Sequence, residues 1–173
     1  DGLLEGSAIN FYGPDVTAAE VDAFYAKKKS PNPERPLSYG LNSKLVKENG
    51  KLVEKVYKSG GLYGEAIDEI INWLEKAKGV AENEKQANAL GLLIDYYTTG
   101  DLKTWDDYNV AWVEATEGNI DYINSFIEVY NDPKGYRGSY ENIVQIKDFD
   151  MSKKMSVLEN EVQWFEDNSP IMD

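Results

Sequence analysis

The order of apolar and polar positions predicts helices interrupted by two short β segments. From 65 to 78, Ile67, Ile70, Ile71, Leu74 and Ala77 recur at helical spacing and form one apolar stripe. A second helix over 82–98 repeats the pattern with Ala87, Leu90, Ile94 and Tyr97, and Gly100 is its stop. A third, over 101–114, carries Trp105, Tyr108 and Trp112. Their spacing favours core packing over a sugar-stacking platform. Short connections predict that these three helices form an antiparallel cluster. Near the end, Met151, Met155, Leu158, Val162 and Phe165 predict one more amphipathic helix, capped by Asp150 and ended by Asn168-Ser169-Pro170. Towards the start, Thr17-Ala18-Ala19-Glu20 is a capping box that opens a helix running to about Lys28, with Val21, Phe24 and Tyr25 on its apolar side. The proline-rich stretch 30–36 cannot continue that helix.

Two segments read as β structure, and an extended N-terminal stretch is expected to hold a further short strand at 8–12. Residues 44–48 and 51–57, joined by Asn49-Gly50, form a hairpin signal. The second segment, 126–130, alternates strictly. Its period of two sends Phe126, Glu128 and Tyr130 to one face, and Ile127 and Val129 to the other, which suits a core. Asn131-Asp132-Pro133 then breaks the strand, Gly135 and Gly138 allow a sharp turn, and 143–146 resumes it. A carboxylate and a phenol thus stand two residues apart on a rigid strand beside a tight loop, a candidate ligand-reading edge. The expected fold class is α+β: a mostly helical single domain over 1–173 with a small antiparallel sheet or hairpin.

Composition narrows the function. The chain has 173 residues, 42% hydrophobic and 12% aromatic, enough for a folded domain with a real core. Eighteen basic against 31 acidic residues leave a net charge of −13, which argues against nucleic acid or anionic membrane as partners. The absence of cysteine removes disulfides and thiol nucleophiles and suits a reducing compartment, so a cytoplasmic location is expected. No apolar run approaches the roughly 20 residues that span a bilayer. No signal peptide is visible, and the start at Asp1 predicts a trimmed chain. With neither histidine nor cysteine, the usual catalytic zinc site, a Ser-His-Asp triad and a Cys-His pair cannot be assembled from this chain. Gly60-Gly61-Leu62-Tyr63-Gly64 lacks the Lys and Ser/Thr of a phosphate-binding loop and reads as a flexible helix start. The stretch from Asp148 to Glu159 has Lys153 where a calcium loop needs glycine, so calcium is not expected.

The run Phe126-Ile127-Glu128-Val129-Tyr130-Asn131-Asp132-Pro133-Lys134-Gly135-Tyr136-Arg137-Gly138 resembles the FIE-x-Y-x-DP-x-G-x-RG stretch of the dipeptidyl peptidase III family, zinc exopeptidases that release dipeptides from peptide N-termini. Ile9-Asn10-Phe11-Tyr12-Gly13, Ser38-Tyr39-Gly40-Leu41-Asn42-Ser43 and Gln163-Trp164-Phe165-Glu166 resemble further segments in the same order. The resemblance implies a fragment lying before the zinc-binding helix of a larger enzyme. It implies that Glu128 takes the substrate ammonium, a charge-assisted hydrogen bond, and that Tyr130 is catalytic, donating to the oxyanion. Asp132 and Arg137 also match and are read as loop architecture. The expected partners are a peptide N-terminus and the remainder of the parent enzyme. The cofactor is none in this chain and zinc in the parent, so the isolated chain is expected to be inactive. The alternative is a non-catalytic acidic helical module that binds a basic protein. A carboxylate-only glycosidase is the third reading; chance acid pairs among 31 acidic residues weaken it.

Overall fold

The structure is a computed structural model that describes Gly6 and residues 10–170. Helix α1 (Ala18–Tyr25) opens as expected: Thr17 Oγ1 accepts from the Glu20 amide while Glu20 Oε2 accepts from the Thr17 amide at 2.9 Å. It is shorter than predicted, because the chain turns off after Tyr25 and carries Lys28 across to Glu54 on the neighbouring hairpin. That hairpin pairs β1 (Ser43–Glu48) with β2 (Lys51–Val56) antiparallel. Its turn residues Asn49 and Gly50 both have positive φ, 51° and 76°, the conformation that right-twisted strands require of a two-residue loop. Of the N-terminal strand expected at 8–12, residues 8 and 9 lie outside the described residues. What remains is one parallel bridge from Tyr12 to Leu45, flanked by hydrogen bonds from Gly13 N to Leu45 O and from Leu45 N to Phe11 O.

Helices α2 (Gly64–Gly79), α3 (Glu84–Thr99) and α4 (Leu102–Glu114) pack in succession, and the central one is the most buried. Leu93, Tyr96 and Tyr97 of α3 are fully enclosed among Ile67, Leu74, Trp105 and Tyr108. Caps set the boundaries. Asn83 accepts from Gln86 N, Asp101 accepts from Lys103 N and Thr104 N, and left-handed Gly100 (φ 73°) ends α3. Trp112 is half-buried, and its indole N–H donates to Tyr122 O at 3.0 Å, tying α4 to the second sheet. That sheet pairs β3 (Ile120–Glu128) with β4 (Ser139–Ile146) antiparallel and contributes Phe126 to the helical core. The described residues form a single α+β domain of six helices and two two-stranded antiparallel sheets.

Two expectations fail at the C-terminal end. Asp148, not Asp150, caps the first of the last helices: its Oδ1 accepts from Asp150 N and Met151 N. Asp148 stands two residues nearer the chain reversal, where those amides have no carbonyl behind them. The single helix is also two, α5 (Phe149–Asn160) and α6 (Val162–Asn168), broken at Glu161. Their apolar stripe faces outward: Met155, Val162, Trp164 and Phe165 are all about half exposed. Among the described residues no helix is long and apolar enough to cross a membrane.

Candidate functional site

Strand β3 delivers the candidate residues, and a bulge decides which way they face. The register passes from Phe126 opposite Tyr140 to Glu128 opposite Ser139, leaving one residue extra on β3. Phe126 therefore does not share the outer face with Glu128 and Tyr130, as strict alternation predicts. It turns into the core, 7% exposed, with its ring 4.6 Å from that of Tyr57. Beyond the bulge the alternation holds. Ile127 and Val129 are half-buried and line a cleft on the core side with Leu41 and Trp105. Glu128 and Tyr130 are exposed, Tyr130 to 75%.

The loop after Tyr130 is built around Asp132, which is 4% exposed. Its Oδ1 accepts from Lys134 N at 2.9 Å, and its Oδ2 accepts from Tyr136 N and Arg137 N at 2.9 Å each. A carboxylate that collects three backbone N–H groups fixes the turn without needing a neighbouring strand. Gly135, at φ 70°, supplies the left-handed step. Gly138 lets β4 begin close against the bulge, since a Cβ there would stand 2.7 Å from Phe126 C and 2.9 Å from Ile127 N. Lys134 pairs with Asp22 of α1 at 2.6 Å, and the Tyr136 ring stacks on Tyr25 at 4.4 Å.

Arg137 continues the construction into the interior. Its side chain is fully buried. Nε donates to Phe11 O at 3.0 Å, Nη2 to Tyr25 Oη at 2.5 Å and Nη1 to Tyr12 Oη at 3.4 Å, with the guanidinium 4.4 Å from the centre of the Tyr12 ring. Two phenols carry its charge outward to acids. Tyr12 donates to Asp132 Oδ2 at 2.8 Å, and Tyr25 donates to Glu54 Oε1 at 2.5 Å. Glu54 also takes Lys28 and, at 3.1 Å, the Ser43 hydroxyl. Burial pushes the Tyr12 and Tyr25 hydroxyls well above the ordinary phenol range, against the pull of Arg137. They therefore stay neutral donors at any physiological pH. Burial also works to raise the Glu54 carboxyl, but Lys28, Tyr25 and Ser43 outweigh it and hold it below its usual value.

Asp132 and Arg137 thus stand where loop architecture was expected. Tyr12, Tyr25 and Glu54, which complete the network, were not read from the sequence as partners of Arg137. Their partners lie between 11 and 125 residues away, and those of Tyr12 more than a hundred, beyond any local pattern. No group of three or more His, Cys, Asp or Glu that could hold a metal ion occurs among the described residues. The side chains of the described residues do not fit a zinc site.

A second cavity, of about 570 Å³, is lined by Tyr57, Tyr63, Phe126 and the first residues of β4, Ser139 and Tyr140, among others.

Comparison with known proteins agrees with the family resemblance of the sequence. The profile of peptidase family M49 matches residues 36–170. Dipeptidyl peptidase 3 of Rattus norvegicus is 31% identical over 98 residues, which cover 57% of this chain and 13% of the rat protein. Dipeptidyl peptidase 3 of Dictyostelium discoideum is 25% identical over 186 residues, covering 94% of this chain and 26% of that protein. Among solved structures, DPP III from Caldithrix abyssi superposes with a TM-score of 0.69 at 24% identity, covering 95% of this chain and 30% of that one, a likeness of fold. The chain therefore spans no more than about a quarter of the length of these curated relatives. A family profile that spans most of the sequence, with its dipeptidyl peptidase III relatives, places the chain in peptidase family M49.

Proposed function

We propose that this chain is the substrate-cleft segment of a zinc metallopeptidase that releases dipeptides from peptide N-termini. It is one domain of a larger cytoplasmic enzyme whose metal is held by residues outside it. The observation that carries the reading is the pairing of exposed Glu128 and Tyr130 on a segment whose intervening residue, Val129, packs on the core. Glu128 receives the substrate's α-ammonium through a charge-assisted hydrogen bond and so sets how far along the peptide the enzyme cuts. Tyr130 donates its phenolic proton in a hydrogen bond to the carbonyl oxygen as negative charge develops there. Asp132 and Arg137 hold the loop that follows and touch no substrate. The half-exposed apolar stripe of α5 and α6 supports the view that more of the polypeptide belongs against this domain.

The test is Tyr130→Phe in the full-length enzyme. Loss of one oxyanion donor lowers kcat by about 10²–10³-fold, with little change in KM. An unchanged kcat removes the role. The isolated chain is expected to show no hydrolysis of dipeptidyl arylamides with zinc added, and turnover by it alone would overturn its assignment as a partial enzyme.

A further inference from the structure

The turn between β1 and β2 holds the one Asn-Gly pair of the sequence, Asn49-Gly50, and both residues are exposed. The pair serves the hairpin as its two-residue loop. It also has a chemistry of its own. The carboxamide carbon of an asparagine is within reach of the next residue's backbone nitrogen, and attack by that nitrogen closes a five-membered ring. A side chain on the following residue obstructs the attack, and burial or hydrogen bonding of the carboxamide restrains it. Neither obstacle protects Asn49. Gly50 has no side chain, and a Cβ placed on it would meet nothing within 4 Å. Other asparagines that precede a small or polar residue are held. Asn42, before Ser43, is 3% exposed and donates to Gly100 O at 3.1 Å. Asn131, before Asp132, donates to Ser139 Oγ at 3.0 Å, and Asn168, before Ser169, donates to Trp164 O at 2.8 Å.

We propose that Asn49 is a site of spontaneous deamidation, with water as the only co-reactant, and that the reaction releases the hairpin. The Gly50 nitrogen gives its proton to solvent base and bonds to Asn49 Cγ. The Cγ–Nδ2 bond breaks, and Nδ2 takes up a proton and leaves as ammonia. Water then opens the cyclic imide. Breaking the bond from the Gly50 nitrogen to Cγ leaves aspartate on an unchanged backbone. Breaking its bond to the backbone carbonyl carbon leaves isoaspartate, in which the chain runs through the side chain and is one carbon longer. Aspartate can keep the turn, since it tolerates the left-handed φ of 51° much as asparagine does. Isoaspartate cannot. A two-residue loop sets the pairing of Glu48 with Lys51, and a lengthened one no longer joins those partners. The same strands carry Leu45, fully buried, opposite Glu54, which takes Lys28 and the hydroxyls of Tyr25 and Ser43. Slippage at the turn therefore loosens the arrangement that Tyr25 and Arg137 complete.

The experiment ages the full-length protein in mildly alkaline buffer, which favours loss of the amide proton, and follows it by peptide mass spectrometry. Asn49 converts ahead of every other asparagine of this chain, gaining the difference in mass between NH2 and OH. Part of the product is methylated by an isoaspartyl methyltransferase. Asn49→Gly removes the reacting carboxamide and suits the same turn, so folding is retained and the turn stays unmodified. Hydrogen exchange then reads the consequence. Protection of the β1 and β2 amides is lost in the isoaspartyl form of the aged wild type and kept in the aged Asn49→Gly protein. Earlier conversion at another asparagine of this chain, or full protection of the hairpin in the isoaspartyl form, overturns the proposal.

Discussion

Replacing Arg137 by Met tests whether the loop after Tyr130 is held from the interior. The methionine fills much of the arginine's path but supplies no donors and no charge. Three hydrogen bonds are lost, to Phe11 O, Tyr12 Oη and Tyr25 Oη, together with the guanidinium's contact with the Tyr12 ring. Asp132 then faces a Tyr12 phenol that no cation polarises, while Glu54 keeps its pairing with Lys28. Each hydrogen bond to a charged group contributes about 1.5–3 kcal/mol, and breaking a buried charge arrangement from one side costs about 3–5 kcal/mol. Asp132 keeps its three backbone donors, which limits the damage, so a loss of about 3–5 kcal/mol is expected in place of the plain sum. For a domain of this size each kcal/mol lowers Tm by about 2–4 °C, which makes the expected fall about 6–20 °C. Urea denaturation followed by far-UV circular dichroism measures the change directly, with the m-value unaltered if only stability has moved. A loss below about 1 kcal/mol, the range of an exposed substitution, would refute the view that this arginine fastens the loop.

Tyr12→Phe keeps the ring and removes only the hydroxyl between Arg137 and Asp132, so a loss of about 1–3 kcal/mol is expected by the same assay. Gly138→Ala places a methyl against the backbone of Phe126 and Ile127, 2.7 Å from the nearer atom, where nothing flexible can yield. A destabilisation of about 1–3 kcal/mol follows, and amide exchange should quicken across the bulge first. Acid stability reports on Glu20 and Glu82. The Thr17 backbone N–H, with Lys47 and the Thr17 hydroxyl, holds the Glu20 carboxyl down at about 2, and the backbone N–H groups of Asn119 and Ile120 lower that of Glu82. Both carboxyls are depressed on folding, so their contribution is present above the unfolded value, near pH 4.5, and is lost as pH falls through the folded values, near 2 for Glu20. Urea midpoints measured from pH 6 down to pH 2 should decline, and Glu20→Gln with Glu82→Gln should flatten the decline; an equally steep profile in the double variant would count against both anchors.

The hairpin, the capping box, the helical stripe of α2 and the stop at Gly100 were legible because each depends on residues within one or two turns of chain. The Asp132 turn belongs with them, since its acceptors and donors span only 132–137. The bulge was not legible. A pattern of strict alternation is what sequence shows whether or not one residue is unpaired, and only the register to β4 reveals that Phe126 has left the outer face. The C-terminal stripe shows the opposite limit. Its period predicts a helix with an apolar side, but periodicity cannot state what that side packs on, and among the described residues it is half exposed. The Arg137 network was invisible for a third reason, that it joins Phe11, Tyr12 and Tyr25 to a residue more than a hundred positions later.

That long-range network also explains how exposed residues can be precisely placed. Glu128 and Tyr130 have little packing of their own, and a solvated side chain on a free loop would sample many positions. Here the backbone between and after them is fixed at three points: Val129 in the core-side cleft, Asp132 in its own turn, and Arg137 beneath α1 and the first hairpin. The order for the candidate site is thus supplied by buried residues, and the two candidate side chains remain exposed. On this argument the first half of the chain, which contributes Phe11, Tyr12, Tyr25 and Glu54 but neither candidate residue, serves as the clamp for the second. A change at Tyr25, about a hundred residues before Tyr130, should therefore disturb the loop more than a change at a solvent-facing neighbour such as Asn131.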